Sequence, residues 1–155
     1  MRKTGRNWMT DYFQISMTDG EISTISNLGL AHLGDGVYEL LIRTWLCKQG
    51  KATAKGLHKA AVGYVSAPAQ AAAAVRLLPH LTEREQAVYR RGRNARVNTT
   101  PQNASLEEYH QATGLETLFG YLYLNEKTDR LNELFQMVIE ERENAAGCDL
   151  HDCTP

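Results

Sequence analysis

From Ser26 onward the apolar residues fall at helical spacing. Leu30, Leu33, Val37, Leu40, Leu41 and Trp45 recur every three or four positions, as on one buried helix face. Gly50 stands where a C-terminal glycine cap belongs. A second helical run covers Thr53 to Tyr64, with Thr53 as its N-cap. In "VSAPAQAAAAVRLLPHL", Ser66 fits an N-cap and Pro68 a first-turn position, and the alanines predict close helix packing. Thr82 with Glu85 three residues on is a capping box. "NARVNTTPQNAS" replaces periodicity with Asn, Thr and Pro and reads as a loop. "SLEEYHQATGLETLFGYLYLNEK" then predicts a long helix, apolar on nearly every side, with a break expected near Gly114. "TDRLNELFQMVIEER" predicts a final amphipathic helix capped by Thr128. No segment alternates like a strand, and nothing repeats. The expected fold class is all-α.

The ends of the chain lack this regularity. Residues 1–24 read as a poorly ordered extension with at most a short helical turn, 25–142 as the folded domain, and 143–155 as a flexible tail. A length of 155 residues suits one domain with a proper core. At 43% hydrophobic and 23% charged residues, the composition is that of a soluble globular protein. No apolar stretch is long enough for a bilayer, and no secretory signal follows the basic start. Three cysteines, with Cys47 isolated in a helical run, do not make a disulfide framework. The expected location is a reducing cytoplasm, with no membrane partner.

Charge alters the picture locally. The net charge is −1, so the molecule is no polycation, but "REQAVYRRGRNAR" sets Arg84, Arg90, Arg91, Arg93 and Arg96 against Glu85 alone. Such a segment is either a solvated charge run or a nucleic-acid contact. Arg suits bidentate phosphate binding. Lys55, His58 and Lys59 in "KGLHKA" are weaker candidates for the same task. In the tail, Cys148, His151 and Cys153 of "CDLHDC" lack the second ligand pair of a convincing zinc site.

Two acids carry the candidate chemistry. In "GLAHLGDGVYELLIRTWL", Asp35 lies between Gly34 and Gly36, although each interior glycine costs a helix roughly 1 kcal/mol relative to alanine. On a wheel Asp35 falls opposite the Leu33/Val37/Leu40/Thr44 stripe, beside His32 and Glu39. A solvated face explains that placement equally well, and Glu39 has a ready i,i+4 partner in Arg43. Glu116 lies among Leu115, Leu118, Phe119, Leu122 and Tyr123, where an ionised carboxylate is costly unless it meets a cation. That cation is either an Arg or a divalent metal shared with Asp35 on a neighbouring helix. Mg2+ takes hard oxygen ligands and often only one or two carboxylates, and it serves phosphodiester chemistry.

Taken in order, "LAHLGDGVYELLIR", "LHKAAVGYVSAPAQA", "LTEREQAVYRRGRNAR", "TTPQN" and "ATGLETLFGYLYL" resemble the Mini-ribonuclease III family, the compact bacterial branch of the ribonuclease III class. The resemblance runs from about Asn27 to Leu134. It implies an all-helical ribonuclease III domain acting as a homodimer. The implied activity is Mg2+-dependent hydrolysis of double-stranded RNA, with Mn2+ as a substitute, leaving 5′-phosphate and 3′-hydroxyl ends. The implied task is maturation of the large-subunit (23S) ribosomal RNA precursor, with a ribosomal protein as a further candidate partner. By the same resemblance Asp35 is the catalytic acid and Glu116 its metal-binding companion. Arg90, Arg91, Arg93, Asn94 and Arg96, with Lys55 and His58, are expected to contact RNA. Gly34 and Gly36 are expected to admit a phosphate or a helix of the partner subunit. The family more often has Ala after the Asp. Ala31 and Thr113 stand where larger ribonuclease III enzymes carry two more acids. The alternative function is a non-catalytic RNA-binding or ribosome-associated protein on the same fold, though such relatives typically lose the acids.

Overall fold

The computed structural model describes residues 9–50, 53–98 and 101–148, with side chains as far as residue 140. Seven α-helices follow one another: α1 (Asp19–Ile22), α2 (Asn27–Lys48), α3 (Ala54–Val65), α4 (Ala67–Leu77), α5 (Glu83–Arg93), α6 (Leu106–Leu124) and α7 (Thr128–Cys148). A single 3-10 turn, Leu78–His80, joins α4 to α5. No strand occurs among the described residues, and no described helix is long and apolar enough to cross a membrane.

Helix α6 is the axis of the fold. It packs against α2, α4, α5 and α7, which is why its sequence is apolar nearly all round. Leu115, Leu118, Phe119 and Leu122 are buried, and the Phe119 ring meets Tyr38 of α2 edge-on at 5.3 Å. Thr117, also buried, donates its hydroxyl proton to the Thr113 carbonyl at 2.7 Å. The break expected near Gly114 does not occur. Gly114 lies against the Tyr89 ring of α5, so the glycine serves a close helix contact rather than a bend. On α4 the small Ala71, Ala73 and Ala74 are buried.

The caps explain most boundaries. Thr53 accepts from the Gly56 amide, and Thr82 and Ser105 each form a capping box, with Glu85 and Glu108. Gly50, at φ 81°, ends α2. Ser66 holds the cap position of α4, but its hydroxyl makes no capping bond. Thr128 is the first residue of α7 rather than its cap.

Three expectations are revised. The fully buried row of α2 is Leu30, Gly34, Tyr38, Ile42 and Leu46, turned away from the Leu33/Val37/Leu40 stripe. Leu40 is 54% exposed, and with Phe13, Leu33, Val37 and Leu131 it borders an apolar groove. Pattern counting missed the true row because Gly34 and Tyr38 carry little apolar weight. Part of the N-terminal segment, expected to be poorly ordered, is tied down. Ile22 is buried, the Met17 amide donates to the Leu124 carbonyl at 2.7 Å, and Asp19 pairs with Arg84 at 2.8 Å and accepts from the Tyr121 hydroxyl. At the other end α7 continues through Cys148, past the expected tail boundary. Residues 1–8, with His151 and Cys153, lie outside the described residues.

Candidate active site

Asp35 and Glu116 come from the crossing of α2 over α6. The crossing is unusually tight, because a methyl group placed on Gly34 would lie 1.6 Å from the Glu116 carbonyl oxygen, and one on Gly120 would lie 2.2 Å from the Leu30 carbonyl oxygen. Only glycines let the two backbones touch here. Gly34 therefore admits a helix of the same chain, not a phosphate or a partner subunit. Gly36 has nothing within 4 Å of its missing methyl group, so no helix of this chain requires a glycine there.

This contact places both acids on one open pocket of about 400 Å3, lined also by His32, Arg96, Asn98, Tyr109 and Thr113. Asp35 stands at the edge of the buried face of α2, between buried Ala31 and Tyr38 on adjacent turns, rather than opposite it. Partial burial and then the charge of Glu39 push its carboxyl above the usual Asp range, against the pull of Gln70 and His32. Glu116 is more strongly affected. Burial first, and then the charge of Asp35, raise its pKa to about 8, with Gln70 opposing.

Of the two cations considered for Glu116, Arg is absent: no Lys or Arg among the described residues pairs with it. Glu39, by contrast, has the expected surface partner, accepting from Arg43 Nε at 3.1 Å. Among the described residues no three His, Cys, Asp or Glu side chains gather around one point. Two hard carboxylates, neither paired with a Lys or Arg among the described residues, are nonetheless a sufficient donor set for Mg2+, which retains several waters. The residues fit such an ion.

The basic segment divides. Arg96 reaches the acid pocket. Arg91 lines a separate polar cavity with Asp19, Arg84 and Tyr121. Arg93 is engaged by Glu107 at 2.6 Å. Arg90 and Asn94 are exposed. Lys55 and His58 are exposed on α3, and His58 borders a different hollow beside Arg43 and Cys47, so neither is brought to the acids. Sequence reasoning passed over Gln70, whose side chain is buried beside both carboxyls. Its signal was there: one amide in the middle of "APAQAAAAV".

A ribonuclease III domain model matches residues 28–127, a span that contains both acids and the Arg segment. The chain belongs to the ribonuclease III family. Its relatives include the Mini-ribonuclease 3 of Clostridium tetani, 39% identical over 83% of this chain and 86% of that one. The Mini-ribonuclease 3 of Symbiobacterium thermophilum is 47% identical over 73% and 87%. A crystal structure of a Fusobacterium nucleatum protein superposes with a TM-score of 0.73 at 30% identity, covering 78% of this chain and 97% of that one. Membership of the ribonuclease III family makes the chain an endoribonuclease.

Proposed function

We propose that this ribonuclease III family member hydrolyses double-stranded RNA with a divalent metal, Mg2+ or Mn2+, held by Asp35 and Glu116. The observation that carries the reading is the pocket at the α2–α6 crossing, where two carboxylates converge and, among the described residues, no Arg or Lys pairs with Glu116. A half-buried acid left without a cation is a costly arrangement for structure alone and a useful one for a metal. An ion bound there supplies activation of a water and stabilisation of charge on the phosphodiester. The chain's own residues do the rest. Gly34 and Gly120 fix the spacing of the two acid-bearing helices. Asp35 and Glu116 provide the oxygen ligands, and Glu116 gives up its proton when the ion binds. Arg96 and Asn98 stand at the pocket wall, and Arg90, Arg91, Arg93 and Asn94 extend the basic surface along the end of α5 for RNA phosphates. A-form duplexes are recognised mainly by shape, phosphate and 2′-hydroxyl groups, which such a surface serves. Lys55 and His58 would contact RNA only beyond the acid pocket.

The reading includes 5′-phosphate and 3′-hydroxyl products, a homodimer, a cytoplasmic setting and maturation of the 23S ribosomal RNA precursor, presented by a ribosomal protein. The setting follows from the cysteine pattern, and the others rest on the Mini-ribonuclease III resemblance. The test is cleavage of a perfect RNA duplex in Mg2+ by the wild type, Asp35→Asn and Glu116→Gln, with single-stranded RNA and EDTA as controls. Cutting by the wild type alone, dependent on duplex and metal, is expected. Undiminished cutting by both variants would place the site elsewhere. Sedimentation tests the dimer, and extended 23S ends in cells lacking the protein test the RNA target.

A further inference from the structure

Gln70 is 1% exposed, yet it is surrounded by alanines on α4, the third helix to reach the acids. Its Nε2 has no hydrogen-bond partner, although the side chain lies near enough to Asp35 and Glu116 to favour ionisation of each. An unpartnered buried amide N–H is destabilising, and leucine or methionine would fill the same space without that cost. A buried polar group kept under these terms calls for an explanation.

We propose that Gln70 is a positioning residue for the two acids, its amide donating N–H to Asp35 and Glu116 when they hold a metal ion. The proposal rests on the metal-binding reading of those acids. The amide carries two N–H donors and no titratable group, so it can serve two carboxylates at once without adding charge to the site. Donating to both carboxylates, the buried amide would gain the partners it lacks and fix their orientation. Hydrogen-bonding partners of metal-ligating carboxylates commonly contribute about 10–100-fold to affinity or activity.

The test is Gln70→Met, which keeps the length and removes the donors, with Gln70→Leu as a second variant should the first fold poorly. Mn2+ affinity is measured by titrating the free ion by electron paramagnetic resonance, and thermal unfolding is followed in EDTA. The expected result is a roughly 10–100-fold loss of Mn2+ affinity, with Tm in EDTA unchanged or raised. Duplex cleavage should recover at saturating Mn2+, with KM for RNA unaltered. Mn2+ affinity within twofold of the wild type would overturn the proposal, as would a loss of affinity that merely follows a fall in Tm. Asp35→Asn and Glu116→Gln separate the two ideas. If these bind Mn2+ poorly while Gln70→Met binds it normally, only the Gln70 proposal falls. If they bind it as the wild type does, the acid reading falls and takes the Gln70 proposal with it.

Discussion

At the seam of α5 and α7, Glu85 accepts from Arg130 Nε at 2.9 Å, from Arg130 Nη2 at 3.0 Å and from the Thr82 amide at 2.9 Å. At the crossing of α2 and α6, Glu116 has no such cation among the described residues. Burial pushes both carboxyls upward. At Glu85 the Arg130 and Thr82 bonds outweigh it and hold the pKa below the usual range, whereas at Glu116 nothing does and the pKa reaches about 8. The first acid is satisfied by the fold, linking two helices and closing a capping box. On the proposed reading the second is completed by an added metal ion. A carboxylate packed into a helix contact thus shows its role by what accompanies it, not by how far it is buried.

The largest effect should come from treating the two acids alike. Glu116→Gln is expected to lower duplex cleavage by more than the roughly 10–100-fold typical of losing an outer-sphere partner, with unfolding in EDTA as cooperative as the wild type. Glu85→Gln should leave single-turnover cleavage nearly unchanged at a temperature where it is folded. Initial rates and thermal melts on the same samples separate these outcomes. The contrast breaks if Glu85→Gln is the variant that stops cleavage.

The spacing of the acids comes next. Gly34→Ala sets a methyl group against the backbone of α6, where no rotamer can relieve it, and should cost about 3 kcal/mol or more by denaturant titration. Gly36→Ala enters open space and should be neutral or stabilising by up to about 1 kcal/mol. Equal effects would mean that the α2–α6 contact does not set the site.

These glycines also mark how far the sequence can be read. Helix existence was legible, since Thr53, Thr82 and Ser105 cap as their residue types require and α6 announces its burial by being apolar all round. The burden on Glu116 followed from its neighbours. The rotation of α2 was hidden, because the row that packs contains a glycine valued for its smallness and a tyrosine valued for its ring. The division of the Arg segment depends on Glu107 and Asp19, residues distant in sequence that the fold brings near. Gln70 needed three helices in place before its isolation among alanines had meaning.

On the structural side of the comparison, removing the charge of Glu85 should cost about 1–3 kcal/mol, because Arg130 is left with weaker acceptors although its bond to the His80 carbonyl at 2.7 Å remains. Arg130→Gln should give a loss of similar size, and the double variant less than the sum. Denaturant titrations of all four proteins check this. Additive losses would show that the pair does not act as a unit.

The smallest effect is a slope with pH, and its sign differs at the two acids. Glu116 is protonated in the folded protein up to about 8 but only to about 4.5 when unfolded. Between those values the folded state holds the extra proton, so metal-free stability falls as pH rises. For one proton the slope is no steeper than about 1.4 kcal/mol per pH unit. Asp35, also raised, contributes with the same sign. Glu85, held below its ordinary value, works the other way: its stabilisation is present above about 4.5 and is lost as pH falls through its lowered pKa. Unfolding in EDTA from pH 5 to 9 should therefore show a decline that Glu116→Gln flattens and Glu85→Gln does not. Adding Mg2+ at pH 8 to 9 should restore the wild type, because the ion binds the ionised pair, and should do nothing for Glu116→Gln. A decline that persists in Glu116→Gln would mean that the slope belongs to another group and that the carboxyl at the α2–α6 crossing is already ionised without metal.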